Sequence, residues 1–321
     1  MHGRLAAIAT LLVALLVPTS PAAAQAGGNV ARIGWIGVGK GLTFDSFRQG
    51  MRERGWIEGH NLVIEARFGD YSQAPQLVAD LQRAKVDVIV AQGPMVLRAR
   101  DALGTTPVVF GFSGDPVEAG LVTSLGRPGG NMTGLTAMAW ELVGKRLELL
   151  KEALPGLKRV AVMANAAHAG EQSELRVSQE AARRLDVNLQ YLPVRAATDF
   201  EPAFEAMVRE RAQAVIAFPD AFMNGNAKAI ADLATRRGIP VMSGAAQFAE
   251  AGNFMTYGPG LTDFWRSVSY YADKVLKGAR PADLPVGQPT TFELVINVKA
   301  AKALGVSVPQ SLLLRADRVI E

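Results

Sequence analysis

The chain has 321 residues, of which 49% are hydrophobic and 20% charged, a composition typical of a globular protein long enough for two domains. The absence of cysteine excludes disulfides, thiol nucleophiles, thiolate metal sites and a lipid anchor on an N-terminal cysteine. The 34 basic and 30 acidic side chains alternate, without basic runs interleaved with aromatics, so we expect no nucleic-acid partner.

The N-terminus has the pattern of a secretory signal peptide. Arg4 precedes an apolar run over 5–17, which is too short to span a bilayer as a helix. An A-x-A cleavage pattern follows at 22–24. We therefore predict a signal peptide over 1–24 and export to a periplasm without a lipid anchor. A membrane anchor is the alternative interpretation, but no longer apolar run follows.

From residue 32 onward, short apolar runs alternate with longer amphipathic stretches. Strands are predicted at 32–37, 61–68, 86–91, 107–112 and 132–136, and then at 159–164, 188–193, 214–218 and 240–243. Helical faces lie between them, such as the face carrying Phe44, Phe47 and Met51. This alternation predicts βαβ units and parallel sheets with both faces covered.

The strand starts form two series with a similar step, so we predict two Rossmann-like α/β lobes with parallel sheets, joined by a hinge. Lobe 1 is expected over 30–138, completed by part of 262–290. Lobe 2 is expected over 139–260, completed by part of 291–321. The predicted crossings lie near 137–140 and 257–261, and a late strand at 292–297 is compatible with a third.

The segment 108–136 places a strand, a polar turn and a glycine-rich turn in succession. Pro116 stands where a first helical position is expected, and Asp115 then acts as the N-cap of that helix. Contact with a ligand is the other role open to Asp115, because it follows the carboxyl end of a strand.

Open α/β sheets bind ligands at the carboxyl ends of their strands, and the candidate binding residues are therefore those that follow each predicted strand. They are Lys40, Phe44, Gln92, Gly93, Phe112, Ser113, Asp115 and Thr136 in lobe 1, and Asn165, Asp220, Phe222, Ser243 and Glu250 in lobe 2. Hydroxyls and backbone N–H groups suit a carboxylate, acidic side chains an amine, and the phenylalanines an apolar group. The alternative for each is a cap, a turn former or a core residue.

The sequence gives little indication of a metal site, a catalytic nucleophile or a dinucleotide-binding loop. His60 and His168 lie near no acidic cluster with metal-ligand spacing, and we expect both to be surface loop residues. No G-x-S-x-G elbow is present. The glycine turn after the first strand lacks the third glycine of a dinucleotide loop, so we expect it to open the cleft mouth and offer N–H groups to an anion. We predict no metal, no cofactor and no catalytic residue.

Several longer stretches carry a family resemblance. They are FRQGMRERGWIEGHNLVIEAR, VDVIVAQG, TPVVFGFSGDPVEAGLVTSLGRPGGNMTG, GKRLELLKEALP and the C-terminal block that begins LPVGQPTTFELVIN. With these the chain resembles the ABC-transporter substrate-binding proteins, a family that includes tryptophan/tyrosine-type members. It departs from the family at Gly287, where an acidic residue is common, and at Ser113-Gly114, where a Ser-Asp or Thr-Asp pair is common.

The resemblance implies a type I periplasmic-binding fold and a ligand held between the lobes by hinge closure. It also implies an amino acid or similar small carboxylate as ligand, delivered to a membrane permease with a cytoplasmic ATPase. We expect a monomer. A sensory protein that docks on a membrane receptor is the main alternative, and an exported α/β enzyme is the other.

Overall fold

The computed structural model describes residues 30–137, 139–168 and 170–321. The predicted signal peptide lies outside these residues. Among the described residues, no helix has the length and hydropathy needed to span a membrane.

The chain alternates strands and helices along most of its length. The strands are β1 Ala31–Gly37, β2 Leu62–Phe68, β3 Val88–Gln92, β4 Val108–Phe112, β5 Met132–Thr136, β6 Arg159–Asn165, β7 Asn188–Val194, β8 Ala214–Ala217, β9 Val241–Ser243, β10 Met255–Gly258, β11 Glu293–Asn297 and β12 Arg318–Ile320. The helices are α1 Leu42–Glu53, α2 Ala74–Arg83, α3 Met95–Leu103, α4 Ala139–Ala153, α5 Glu171–Leu185, α6 Phe200–Arg209, α7 Ala221–Gly225, α8 Ala227–Arg237, α9 Ala246–Glu250, α10 Leu261–Leu276, α11 Val298–Ala303 and α12 Gln310–Leu313.

The strands form two separate sheets, which confirms the predicted α/β class with two lobes. The first is parallel, in the order β2-β1-β3-β4-β5, and we call it and its helices lobe 1. The second has the order β12-β11-β10-β9-β8-β6-β7, and it defines lobe 2. Strands β3 and β4 are almost wholly buried, as expected for parallel strands covered on both faces.

Lobe 2 departs from the predicted all-parallel sheet because β11 runs antiparallel to β10. Strand β10 ends at the cleft, and the chain then leaves for lobe 1, where α10 packs against α1. It comes back from lobe 1 at the same end of the sheet, so β11 must run in the opposite direction. The sequence analysis also missed two short strands, β10 and β12.

The described chain passes between the sheets at three places. The first follows β5, the second lies between β10 and α10, and the third lies between Gly287 and β11. Gly287 is held on lobe 1 because its N–H donates to Gly134 O at 2.9 Å and its carbonyl accepts from Thr136 N at 3.0 Å. Residue 138, within the first predicted crossing, lies outside the described residues.

The helix predicted to begin at Pro116 is not formed. Residues 116–120 form turns, and Asp115 Oδ1 accepts hydrogen bonds from Val117 N at 2.8 Å and Glu118 N at 3.2 Å. The turn ends at Gly120, whose φ of 68° is a left-handed conformation that glycine adopts readily. Asp115 therefore caps a single turn rather than a helix.

Candidate ligand-binding site

A cleft of about 340 Å³ lies between the lobes, where carboxyl ends of strands from both sheets face each other. Lobe 1 contributes the loop after β1 and residues after β3 and β4, while lobe 2 contributes residues after β8 and β9. Helices α4 and α10, which follow the first two crossings, complete its wall. This is the position at which open α/β sheets bind ligands.

Six of the candidate residues line this cleft, and they are Lys40, Gln92, Gly93, Phe112, Ser113 and Asp220. Gln92 also supports the glycine loop after β1. Its Oε1 accepts from Val38 N at 3.3 Å, and its Nε2 donates to Thr43 Oγ1 at 3.1 Å.

The other candidates make internal contacts instead of lining the cleft. Phe44 packs beside Trp35 in the lobe 1 core, and Phe222 stacks on Phe200 with ring centroids 5.6 Å apart. Glu250 is exposed at the end of α9 and pairs with Arg318 at 2.6 Å.

Three buried polar candidates support the cleft from behind, and the partly buried Asp115 caps the turn described above. Thr136 Oγ1 donates to Gly114 O at 2.9 Å, and Ser243 Oγ donates to Ala217 O at 2.9 Å. Asn165 Nδ2 donates to Asp220 Oδ2 at 2.5 Å. Ser243 and Asn165 thereby fix the polypeptide at the ends of β8 and β6, next to the cleft.

Asp220 is the buried carboxylate of the cleft wall. Its Oδ1 accepts from Met223 N at 2.7 Å and so caps α7, while its Oδ2 takes the bond from Asn165. One turn later, Asn224 lines the cleft, and its buried Oδ1 has no hydrogen-bond partner. Tyr71 of lobe 1 also has a buried hydroxyl without a partner, and burial together with the charge of Asp220 raises the pKa of this phenol. Asp220 and Asn224 therefore contribute acceptor oxygens, and Tyr71 contributes a hydroxyl that can donate or accept.

Arg146 is the residue that the sequence analysis missed. It lies on α4, is only 1% exposed, and lines the cleft. Its Nε donates to Tyr257 O at 2.9 Å, and its Nη1 donates to Ala139 O at 3.2 Å. Nη2 lies against Gly244, where an added Cβ would overlap it. Two carbonyl bonds fix the plane of the guanidinium beside the cleft.

Burial lowers the pKa of Arg146 to about 10, and the charge of Glu174 opposes this effect. The guanidinium therefore remains charged at neutral pH. A buried cation that is bonded to neutral carbonyls retains a strong attraction for an anion. Arg146 is thus the natural partner for a carboxylate that enters the cleft.

The remaining wall is apolar and partly aromatic. Phe112, Phe264 and Trp265 line it. The Trp265 ring lies against Gly111, where an added Cβ would overlap the indole, so a glycine in β4 makes room for this ring. Such a wall suits a flat or apolar group of a ligand, because burial of apolar surface is favourable and contacts between aromatic rings add to the binding free energy.

The prediction that His168 is a surface residue is wrong. His168 is 4% exposed, and its Nε2 lies 3.0 Å from Oε1 of the buried Glu174. His60, in contrast, is exposed. Within the described ranges, no group of histidine and acidic side chains is arranged to hold a metal ion.

Comparison with known proteins agrees with this geometry. The family model of the ABC transporter substrate-binding proteins matches residues 39–320 and so spans both lobes. The chain belongs to this family. The predicted resemblance is thereby confirmed, and the two-lobed architecture is that of a type I periplasmic-binding fold.

Three individual proteins are similar to this chain over most of its length. A tyrosine-binding protein of Clostridioides difficile is 23% identical over 261 residues, which cover 80% of this chain and 75% of the relative. The structure of a conserved domain protein from Vibrio cholerae is 27% identical with a TM-score of 0.85, covering 91% of this chain and all of the other. An ABC domain from Streptococcus pneumonia in complex with L-Trp is 23% identical with a TM-score of 0.83, covering 90% and 99%.

Proposed function

We propose that this substrate-binding protein is the periplasmic component of an ABC importer and binds an amino acid, aromatic in its side chain, between its lobes. The observation that carries the proposal is the buried, charged guanidinium of Arg146 beside an aromatic-walled cleft. The relatives that bind tyrosine and L-Trp support the same ligand class. The family implies a permease and its ATPase as partners.

The cleft offers a separate place for each part of such a ligand. Arg146 takes the carboxylate, with the hydroxyl of Ser113 nearby in the same cleft. Asp220 and the unpartnered Oδ1 of Asn224 take the ammonium group. Phe112 and Trp265 cover the side chain. The ligand is bound and released unchanged, so the protein acts as a carrier rather than an enzyme.

Binding closes the lobes around the three crossings, because only the closed form offers the contacts of both lobes at once. Contacts between the lobes support this proposal. Ser173 Oγ at the start of α5 donates to Glu118 Oε2 in the turn after β4. Gly114 also lies against Gly170, where a Cβ added to Gly114 would be 3.1 Å from Gly170 Cα.

A thermal-shift screen of the mature chain tests this function. The panel contains amino acids, aromatic acids without an amine, purines and sugars. A ligand that binds only the folded state stabilises it, by about 2.7 kcal/mol at a hundredfold excess over Kd. We expect aromatic L-amino acids to raise the melting temperature most. A rise with sugars or purines alone, or with no compound, would contradict the proposal.

A further inference from the structure

A buried histidine–glutamate pair lies behind the proposed carboxylate site. The His168 and Glu174 side chains are 1% and 0% exposed, and His168 Nε2 lies 3.0 Å from Glu174 Oε1. The second polar atom of each, His168 Nδ1 and Glu174 Oε2, is buried without a hydrogen-bond partner. Unpaired polar atoms in a low-dielectric interior are costly, so a structural role alone explains this pair poorly.

The pair is positioned to act on the cleft. Glu174 is on α5, and its charge acts on the guanidinium of Arg146 on the neighbouring helix α4. A Cβ added to Gly170 would lie 2.9 Å from His168 Nε2 and 3.0 Å from Gly114 Cα of lobe 1. The pair therefore lies between the carboxylate site and the contact that joins the lobes.

The charges around His168 are mostly negative. Glu174 and Glu171 face it from α5, and Asp220 faces it from the loop after β8. The charge of Glu174 also acts on Arg146. Glu118 of lobe 1 accepts a hydrogen bond from Ser173 at the start of α5. Without ligand, the guanidinium of Arg146 offsets part of the charge of Glu174. A ligand carboxylate on Arg146 removes that offset, which favours a positive charge on His168.

We propose that Glu174 and His168 are positioning residues for Arg146, and that binding of a ligand carboxylate is coupled to uptake of a proton by His168. This inference rests on the proposed function of the cleft, since it assigns the carboxylate to Arg146. No bond other than that to the proton is made or broken.

The protonation equilibrium of His168 is compatible with this coupling. Burial is the largest single influence and lowers the pKa of His168, but the hydrogen bond and charge of Glu174, together with the charges of Asp220 and Glu171, outweigh it, and the pKa is raised above its usual value. A raised pKa means that His168 can bind a proton at a pH above the usual range of an imidazole.

The experiment is an NMR titration of the two imidazoles that remain in the mature chain, with L-tryptophan and L-tyrosine as probes. We expect saturating probe to raise the titration midpoint of His168 by about one pH unit. His60, which is exposed, serves as the internal control and should not move. The amide derivatives of both probes keep the ammonium group but lack the carboxylate charge, so they should not raise the titration midpoint of His168.

Calorimetry in two buffers of different ionisation enthalpy gives an independent measurement. Binding should take up a fraction of a proton near the midpoint of His168, and H168Q should abolish the uptake while H60Q keeps it. If the probes bind but His168 does not shift and no proton is taken up, the coupling is wrong and the proposed function stands. If neither probe binds, both proposals fail.

Discussion

At the scale of single residues, Arg146 accounts for the chemistry of the cleft, yet its sequence context is ordinary. It follows Lys145 on an amphipathic helix, and only its long-range partners distinguish the two. Lys145 is half-exposed and pairs with Glu148, whereas Arg146 bonds to Tyr257 O, 111 residues away. Periodicity predicts that α4 exists, but it does not predict which basic side chain turns inward.

His168 was misjudged for the same reason. A lone histidine in a loop has no sequence signal for burial, and its surroundings come from Glu174 on the next helix and from Gly114 of the other lobe. Asp220, in contrast, was predictable as a cleft residue, because it follows a short apolar strand and caps the next helix. Its neighbours Asn224 and Tyr71 were not predicted. Tyr71 in particular comes from the other lobe, so no local sequence pattern places it beside Asp220.

The carboxylate of Asp220 should distinguish amino acids from acids that lack the amine. In D220N the asparagine retains an oxygen for the α7 cap, but its amide nitrogen cannot accept the bond from Asn165, and the negative charge that attracts an ammonium group is lost. We expect the affinity for an aromatic amino acid to fall about tenfold or more, and the affinity for the corresponding deaminated acid to stay within about threefold, measured by calorimetry.

The matched control for this prediction is D199N. Asp199 also accepts two backbone N–H bonds in lobe 2, but it lies outside the cleft. This variant should bind like the wild type. An equal loss for both ligands in D220N would show that Asp220 acts through structure rather than through the amine.

The buried His168 also predicts how stability depends on pH. Its pKa is raised in the folded state, so its contribution to the free energy of unfolding is fully present below the unfolded value of about 6.5. That contribution is lost as pH rises through the higher folded pKa. The difference in unfolding free energy between wild type and H168Q should therefore shrink from pH 6 towards pH 9 in urea titrations. A difference that is constant or grows with pH would contradict the raised pKa.

At the scale of elements, most strands could be predicted from their apolar composition, because both faces of parallel strands are buried. The predicted first lobe strands begin within two residues of the observed ones at β1, β2, β3, β4 and β5. Strands β10 and β12 were missed because they have only four and three residues and carry little periodicity. The direction of β11 was not predictable, since it depends on where the chain returns from lobe 1.

The turn after β4 carries contacts between the lobes on which the proposed closure depends. Ala at position 114 would place a Cβ 3.0 Å from the Phe112 ring of its own lobe and 3.1 Å from Gly170 Cα of lobe 2, and only the second contact depends on the lobes being together. We expect G114A to weaken ligand binding about threefold to tenfold through the Gly170 contact, while the Phe112 contact within lobe 1 lowers the melting temperature of the ligand-free protein by an amount that is measured separately. Calorimetry and a thermal melt measure the two effects separately.

The control for the turn is G126A. Gly126 is in the same lobe, and a Cβ there meets nothing within 4 Å. This variant should leave both affinity and melting temperature unchanged. If G114A binds as tightly as G126A, the contact between Gly114 and Gly170 does not contribute to the bound state.

At the scale of the whole molecule, each lobe has cores on both faces of its own sheet, and the two lobes meet at the cleft. Alternating strands and helices in two series were enough to predict this arrangement. The side chains proposed to recognise the ligand were harder to predict from the sequence. Arg146, Trp265 and Asn224 come together only through tertiary contacts between segments distant in the chain.

The central claim is that Arg146 binds the carboxylate of an amino acid in the cleft, and one calorimetric series tests it directly. Wild type, R146Q, R146K and K145Q are titrated with the aromatic amino acid that gives the largest thermal shift. A charge-assisted bond contributes about 1.5 to 3 kcal/mol, so R146Q should bind about 10-fold to 100-fold more weakly.

Two features of the series separate binding from folding. R146K keeps the buried charge that balances Glu174 but loses the planar fork, so it should fold stably and bind with intermediate affinity. K145Q changes the adjacent exposed residue and should bind like the wild type. Equal affinities for wild type and folded R146Q would contradict the account, because the carboxylate would then lie elsewhere.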